Sequence, residues 1–177
     1  MFEGEYLYGK RWNVLGYNKK DSMEFEIKNG NGKGKDYYDN DKIKYEGEYL
    51  LGERNGKGKE YDNNGKIMYE GEYLNGERNG KGKEYSKIGK IKYEGEYMYG
   101  EKNENGKEYD YNGKLKYEGE YLNGERNGKG IEYDYGKLVF VGEFLNGRKW
   151  NGKSIKYNND EDNDELFEVE YFNGERK

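Results

Sequence analysis

The hexapeptide Lys-Tyr-Glu-Gly-Glu-Tyr at 44–49 returns as Met-Tyr-Glu-Gly-Glu-Tyr at 68–73 and again as Lys-Tyr-Glu-Gly-Glu-Tyr at 92–97 and 116–121. A period of roughly 24 residues is too short for an independent domain, so each copy must be a supersecondary unit that stacks on its neighbours. Aligned on the residue before Glu-Gly-Glu, the units start at Phe2, Met23, Tyr45, Tyr69, Tyr93, Tyr117, Phe140 and Phe167. The expected organisation is one continuous array over residues 1–177, about seven units and a terminal half-unit. The end copies drift, as the ends of a solenoid should, because their outer faces have no neighbour to cover them. The second keeps only Met23-Glu24-Phe25-Glu26-Ile27, and the seventh carries an insertion around Asp160 to Asp164.

Within the third unit, Ile43, Tyr45, Gly47 and Tyr49 alternate with Lys44, Glu46, Glu48 and Leu50, the period of two that marks a strand. Leu51-Gly52-Glu53-Arg54 reads as a short turn, Asn55 to Tyr61 as the returning strand, and Asp62-Asn63-Asn64-Gly65 as a second turn. Each unit is then a β-hairpin. Placing Leu50 opposite Asn55 sets Glu48 against Lys57 and Glu46 against Lys59 on one face, with Tyr49 against Gly56 and Gly47 against Gly58 on the other. The same reasoning pairs Glu70 with Lys83 and Glu72 with Lys81. The fold class that follows is all-β: an elongated, single-layer, twisted antiparallel sheet of consecutive hairpins. On these faces, Gly71→Val is expected to crowd a ring and cost about 1–3 kcal/mol, and Arg78→Ala to be near neutral.

Tyr-Glu-Gly-Glu-Tyr followed by Asn-Gly-Glu-Arg-Asn-Gly-Lys-Gly resembles the membrane occupation and recognition nexus repeat, the MORN repeat, most closely at 45–61, 69–85 and 117–133. The chain departs from that pattern at Phe25, Glu104 and Val169, each standing where a glycine is expected. The resemblance implies an extended array of hairpins acting as a scaffold and interaction surface, with binding to acidic phospholipids proposed for some members.

Composition narrows the chemistry. Charged residues make up 39% and hydrophobic residues 31%, a balance that favours disorder unless large side chains recur at fixed places; the 22 Tyr do recur so. With no His and no Cys there is no imidazole base, thiol nucleophile or Cys/His metal site, and repeated Glu pairs such as Glu46 and Glu48 lack the singularity of a catalytic pair. The chain therefore reads as no enzyme, with no cofactor and no metal. The acidic run Asp160 to Glu165 lacks the turn glycine and terminal bidentate Glu of a calcium loop. A net charge of −5 argues against nucleic acid as a partner. No leader-like or membrane-spanning apolar run is present, so the expected location is intracellular and cytoplasmic, with peripheral membrane association as the alternative.

Two sets of residues carry the functional expectations. The first is an aromatic stripe, Tyr45, Tyr49, Tyr69, Tyr73, Tyr93, Tyr97, Tyr117 and Tyr121, with Trp12 and Trp150 in the matching stretches Gly-Lys-Arg-Trp-Asn and Gly-Arg-Lys-Trp-Asn. Regularly repeated rings usually form a core, and the tryptophans suit array caps; the functional alternative is a partner-binding groove left open by a single-layer sheet. The second is a row of cations, Arg54, Arg78, Lys102 and Arg126, each preceded by a Glu, which reads as a solvated rim or as a contact for acidic lipid. The strand around Phe167 to Phe172 is read as an edge without its returning strand, a site for self-association. The resulting reading is a scaffold that binds a protein partner, including a second copy as a homodimer; the alternative is a membrane adaptor using the basic rim.

Overall fold

The computed structural model describes residues 2–18, 20, 22–157 and 166–177, so the acidic insertion Asp160 to Glu165 lies outside the described residues. The chain divides into two compact units, Met1–Gly89 and Lys90–Lys177. The first holds β1 (Phe2–Leu7), β2 (Lys10–Tyr17), β3 (Met23–Lys28), β4 (Asn31–Tyr37), β5 (Ile43–Leu50), β6 (Glu53–Tyr61), β7 (Ile67–Leu74) and β8 (Glu77–Tyr85). The second holds β9 (Ile91–Met98), β10 (Glu101–Tyr109), β11 (Leu115–Leu122), β12 (Glu125–Asp134), β13 (Lys137–Leu145), β14 (Arg148–Tyr157), β15 (Leu166–Phe172) and β16 (Glu175–Arg176). Inside each unit every strand pairs antiparallel with the next, giving a single-layer sheet of successive hairpins. Among the described residues no helix is long and apolar enough to cross a membrane.

Two turn chemistries alternate along most of the array, and the β12–β13 connection breaks the pattern with a two-residue turn, Tyr135-Gly136. The short turns hold two residues, both left-handed, as in Asn75 (φ 51) with Gly76 (φ 89), the type I′ geometry whose twist matches paired strands. Long turns are closed by an Asx side chain, Asn18 in the first and aspartates in two later ones. The Asp62 carboxylate accepts from the N–H groups of Asn64 and Lys66, both at 2.9 Å, and Asp110 repeats the arrangement with Asn112 and Lys114. Successive short turns are also tied together: the Gly76 N–H donates to the Arg54 carbonyl, and the Gly124 N–H to that of Lys102, each at 2.9 Å.

Part of the expected register holds. Glu46 faces Lys59, Gly47 faces Gly58, and Glu70 faces Lys83. Beyond Gly47 it shifts, because the short turn is only Leu51-Gly52 and β6 begins at Glu53; Leu50 therefore faces Glu53 and Tyr49 faces Arg54. The surplus residues form a bulge around Asn55 and Gly56, the latter at φ 64. The exposed Glu48 and Glu72 side chains reach over the bulges of their own hairpins and accept from the backbone N–H of Lys57 at 3.3 Å and of Lys81 at 3.4 Å. A repeated Gly-bearing segment looks like turn or bulge alike in sequence, and the strong type I′ preference decides for the shorter turn. β16 also supplies a returning strand where none was expected, pairing Phe172 with Glu175 and Tyr171 with Arg176.

The core is one side chain deep. Tyr45, Tyr69, Tyr93 and Tyr117 are fully buried at 0% exposure, as is Phe140. Each first ring lies over the glycine pair of its own hairpin: a Cβ on Gly58 or Gly82 would overlap the Tyr45 or Tyr69 ring. Near the start of the chain the tyrosines give way to Val14, Phe25 and Ile27, with Phe25 packed over Gly16.

Candidate functional site

The aromatic stripe forms as the alternation requires, but it is enclosed. In the first unit Tyr45 meets Tyr49 and Tyr73 edge-on at centroid distances of 5.7 and 5.2 Å, and Tyr69 meets Tyr73 at 5.5 Å. In the second, Tyr93 meets Tyr97 at 5.5 Å and Tyr121 at 5.3 Å; Tyr117 meets Tyr121 at 5.4 Å and Phe144 at 5.1 Å. Edge-to-face pairs of this kind contribute roughly 0.5–1.5 kcal/mol beyond burial, and Tyr45, Tyr93 and Tyr117 each have two such neighbours.

The basic residues read as a rim stand on the ring face, because the shortened turn puts Arg54 directly across from Tyr49 and Arg78 across from Tyr73. The guanidinium carbons of Arg54, Arg78 and Arg126 lie 4.1, 4.1 and 4.2 Å from the centroids of Tyr45, Tyr69 and Tyr117, and the Lys102 ammonium 4.2 Å from that of Tyr93. A cation over a ring face is attracted by the ring quadrupole. It also closes the last open side of each ring.

Those cations are in turn clamped by carboxylates that sequence reasoning missed. In the first unit Asp36 pairs with Arg11 at 2.8 Å and Arg54 at 2.7 Å, Glu60 with Arg54 at 3.4 Å and with Arg78, and Glu84 with Arg78 at 3.2 Å. In the second, Glu108 lies 3.6 Å from Lys102 and 2.5 Å from Arg126, and Glu132 lies 2.8 Å from Arg126 and 2.9 Å from Lys149. Acid and base thus alternate along the ring face of each unit. The sequence does carry the signal, since Glu60, Glu84, Glu108 and Glu132 each precede a Tyr at the same distance from the basic residue of their own hairpin.

The electrostatics follow from this mixture of burial and opposite charge. Burial alone would raise the Glu108 carboxyl, but hydrogen bonding and charge from Arg126, with Lys102, outweigh it and hold the group below its usual range. Glu132 behaves alike under Lys149 and Arg126. For Arg54 and Arg78 burial opposes the charge, yet Asp36 and Glu60 more than compensate and raise both above the usual arginine value. Burial pushes the tyrosines upward, Tyr117 to about 12.

Trp12 and Trp150 both occupy bulges. Trp12 is the extra residue between the pairs Glu5 with Asn13 and Tyr6 with Arg11, and Trp150 the extra residue between Glu143 with Asn151 and Phe144 with Lys149. Both are half-buried. The Trp150 ring packs under the following short turn, 3.0 Å from where a Cβ on Gly174 would stand.

The opposite face carries a second ladder. Tyr61 and Tyr109 donate to Glu46 and Glu94, both at 2.5 Å, and Tyr133 to Glu118 at 2.9 Å. Apolar side chains stand exposed at the ends of most first strands, including Leu50, Leu74, Met98, Leu122 and Leu145. No group of three His, Cys, Asp or Glu side chains arranged to hold a metal ion occurs among the described residues.

Compared with known families, residues 69–90 and 117–137 match the family model of the MORN repeat. Residues 30–50, 54–75 and 104–123 match that of a MORN repeat variant. No curated protein matches the chain.

Proposed function

This chain belongs to the MORN repeat family, and from that premise we propose that it is a non-catalytic scaffold whose outward surfaces hold a protein partner. The observation that carries the reading is the closure of the ring face. Tyr45, Tyr69, Tyr93 and Tyr117 have no exposed surface, and the cations above them are committed to carboxylates, so this face supplies stiffness. What remains for contact is the opposite face and the turns, where the same side chains recur at fixed intervals. A lattice of repeated contacts suits the holding of an extended partner better than it suits turnover, which needs one differentiated site.

Protonation states support the same view. The carboxylates Glu108 and Glu132 are held ionised and Tyr117 neutral at physiological pH, so none is poised for proton transfer near neutrality. Lipid headgroups would have to displace Asp36, Glu60 or Glu108 from cations already engaged.

Affinity purification of the cross-linked full-length chain from its source cells, followed by reconstitution with the purified candidate, tests the reading. The expected result is a stoichiometric protein complex that survives about 0.5 M salt, where exposed ion contacts are screened. Salt-sensitive cosedimentation with phosphatidylserine vesicles, and no stoichiometric protein, would overturn it in favour of the membrane adaptor.

A further inference from the structure

In the second unit, Met98, Leu122 and Leu145 end successive first strands and are exposed at 43%, 51% and 39%. They occupy equivalent places two strands apart, so they form a row with a spacing of about 9.6 Å. Seven residues of an α-helix rise about 10.5 Å, so a helix laid across the strands would bring one side chain per heptad over each member of the row. The margin is acidic toward its start: Glu101 faces Met98 and Glu125 faces Leu122, both exposed and in no ion pair among the described residues.

Beside Leu122 the surface dips into a shallow, open hollow lined in part by Asn103, Glu104, Asn105, Glu120, Leu122 and Asn127, where the Glu120 carboxylate also accepts from the Lys129 N–H at 3.2 Å. Glu104 stands where the other clean units have the bulge glycine, and it holds a left-handed φ of 53. The equivalent residues, Gly56, Gly80 and Gly128, have φ between 64 and 79 and no side chain there. A side chain kept in a conformation that glycine would adopt freely, with its carboxylate exposed and unpaired, breaks a local rule without local compensation.

We propose that this margin docks a basic amphipathic helix, with apolar residues every seventh position over Met98, Leu122 and Leu145 and a Lys or Arg entering the hollow between Glu104 and Glu120. The apolar row fixes the helix along the sheet and the two carboxylates fix its register. A net charge of −5 favours a basic partner over long range. The proposal rests on the scaffold reading and gives it a partner class and a surface.

The test is fluorescence anisotropy of the full-length chain with a synthetic helical peptide of about three heptads, Leu at every seventh position and Lys on the flanks, beside a control with Glu for Lys. The Lys peptide should bind about tenfold or more tighter than the control. Leu122→Asn should weaken it about tenfold. Glu104→Gly should weaken it severalfold while raising the melting temperature, a divergence that a purely structural Glu104 would not produce. Equal affinity for both peptides, or indifference to Glu104→Gly and Leu122→Asn, would overturn the proposal. So would a homodimer that Leu122→Asn dissolves, because the row would then belong to a second copy. Failure here alongside a stoichiometric partner in the purification leaves the scaffold standing and removes this surface.

Discussion

Arg78 sits over Tyr69, its guanidinium carbon 4.1 Å from the ring centroid, while the carboxylates of Glu60 and Glu84 both pair with it. The ring is thereby sealed by a charge that is itself neutralised. From sequence, Arg78→Ala reads as near neutral, because a basic residue beside a turn is usually solvated. Here it would leave two half-buried carboxylates facing each other and uncover the ring, at a cost of about 2–4 kcal/mol. Arg148→Ala, at an exposed residue in no described ion pair, should move stability by less than about 0.5 kcal/mol. Urea denaturation of both variants decides the matter; equal midpoints would remove the ladder from the account of stability.

A hydroxyl is left over beneath that arginine. Tyr49 donates to Asp36 at 3.0 Å, but the buried Tyr73 hydroxyl has no hydrogen-bond partner. Tyr73→Phe should therefore be neutral or stabilising by up to about 1 kcal/mol, and Tyr49→Phe destabilising by about 1 kcal/mol. Phe144 already occupies the same place in a later hairpin, across from Lys149. Thermal melts of the two variants should shift in opposite senses, or Tyr73→Phe not at all.

Stability should fail at both ends of the pH scale, for different groups. Glu108 and Glu132 have folded values below their ordinary 4.5, so their contribution is present above that pH and is lost as pH falls through the lower folded values. Tyr117 has a folded value raised from 10.0 to about 12; its contribution is complete below 10 and disappears as pH rises toward 12. Phenolate absorbance during alkaline titration should show the core rings ionising only together with loss of the β-sheet circular dichroism signal. A smooth titration of all tyrosines near 10 would contradict the buried stripe.

Glu104→Gly should stabilise the chain by about 1 kcal/mol, since it relieves the left-handed strain at φ 53 and disrupts no described ion pair. Glu104→Ala keeps the strain and should gain much less. Chemical denaturation of the pair separates the backbone effect from the loss of charge.

The strands, their antiparallel order and the ring face were legible because period-two alternation and a repeated Tyr-Glu-Gly-Glu-Tyr leave few other solutions. Gly47 against Gly58 and Glu46 against Lys59 were readable from complementarity alone. The half-hairpin beyond Gly47 was not, because Leu51-Gly52-Glu53-Arg54 accommodates either a four-residue turn or a two-residue turn with a bulge. That choice moves Arg54 from the margin onto the ring face, so one unresolved turn hid the whole ion-pair ladder. That the rings form a core was the first reading of their regular repetition, with an open groove over Tyr45 as the alternative that a single layer allows. That groove closes because each arginine side chain is long enough to serve as the second layer.

Asn-Gly is the dipeptide most prone to spontaneous deamidation, in which the glycine nitrogen attacks the asparagine side-chain carbon, expels ammonia and leaves a succinimide that hydrolyses to aspartate or isoaspartate. The short turns are built from this dipeptide at Asn75-Gly76, Asn123-Gly124 and Asn146-Gly147, yet the glycine N–H in each donates to the carbonyl of Arg54, Lys102 or Arg126 at 2.9 Å. An N–H engaged in that bond resists the deprotonation that attack requires, so cyclisation is slowed while the neighbouring turns stay together. The contact that stacks one hairpin on the next therefore also slows the chemical ageing of the turns.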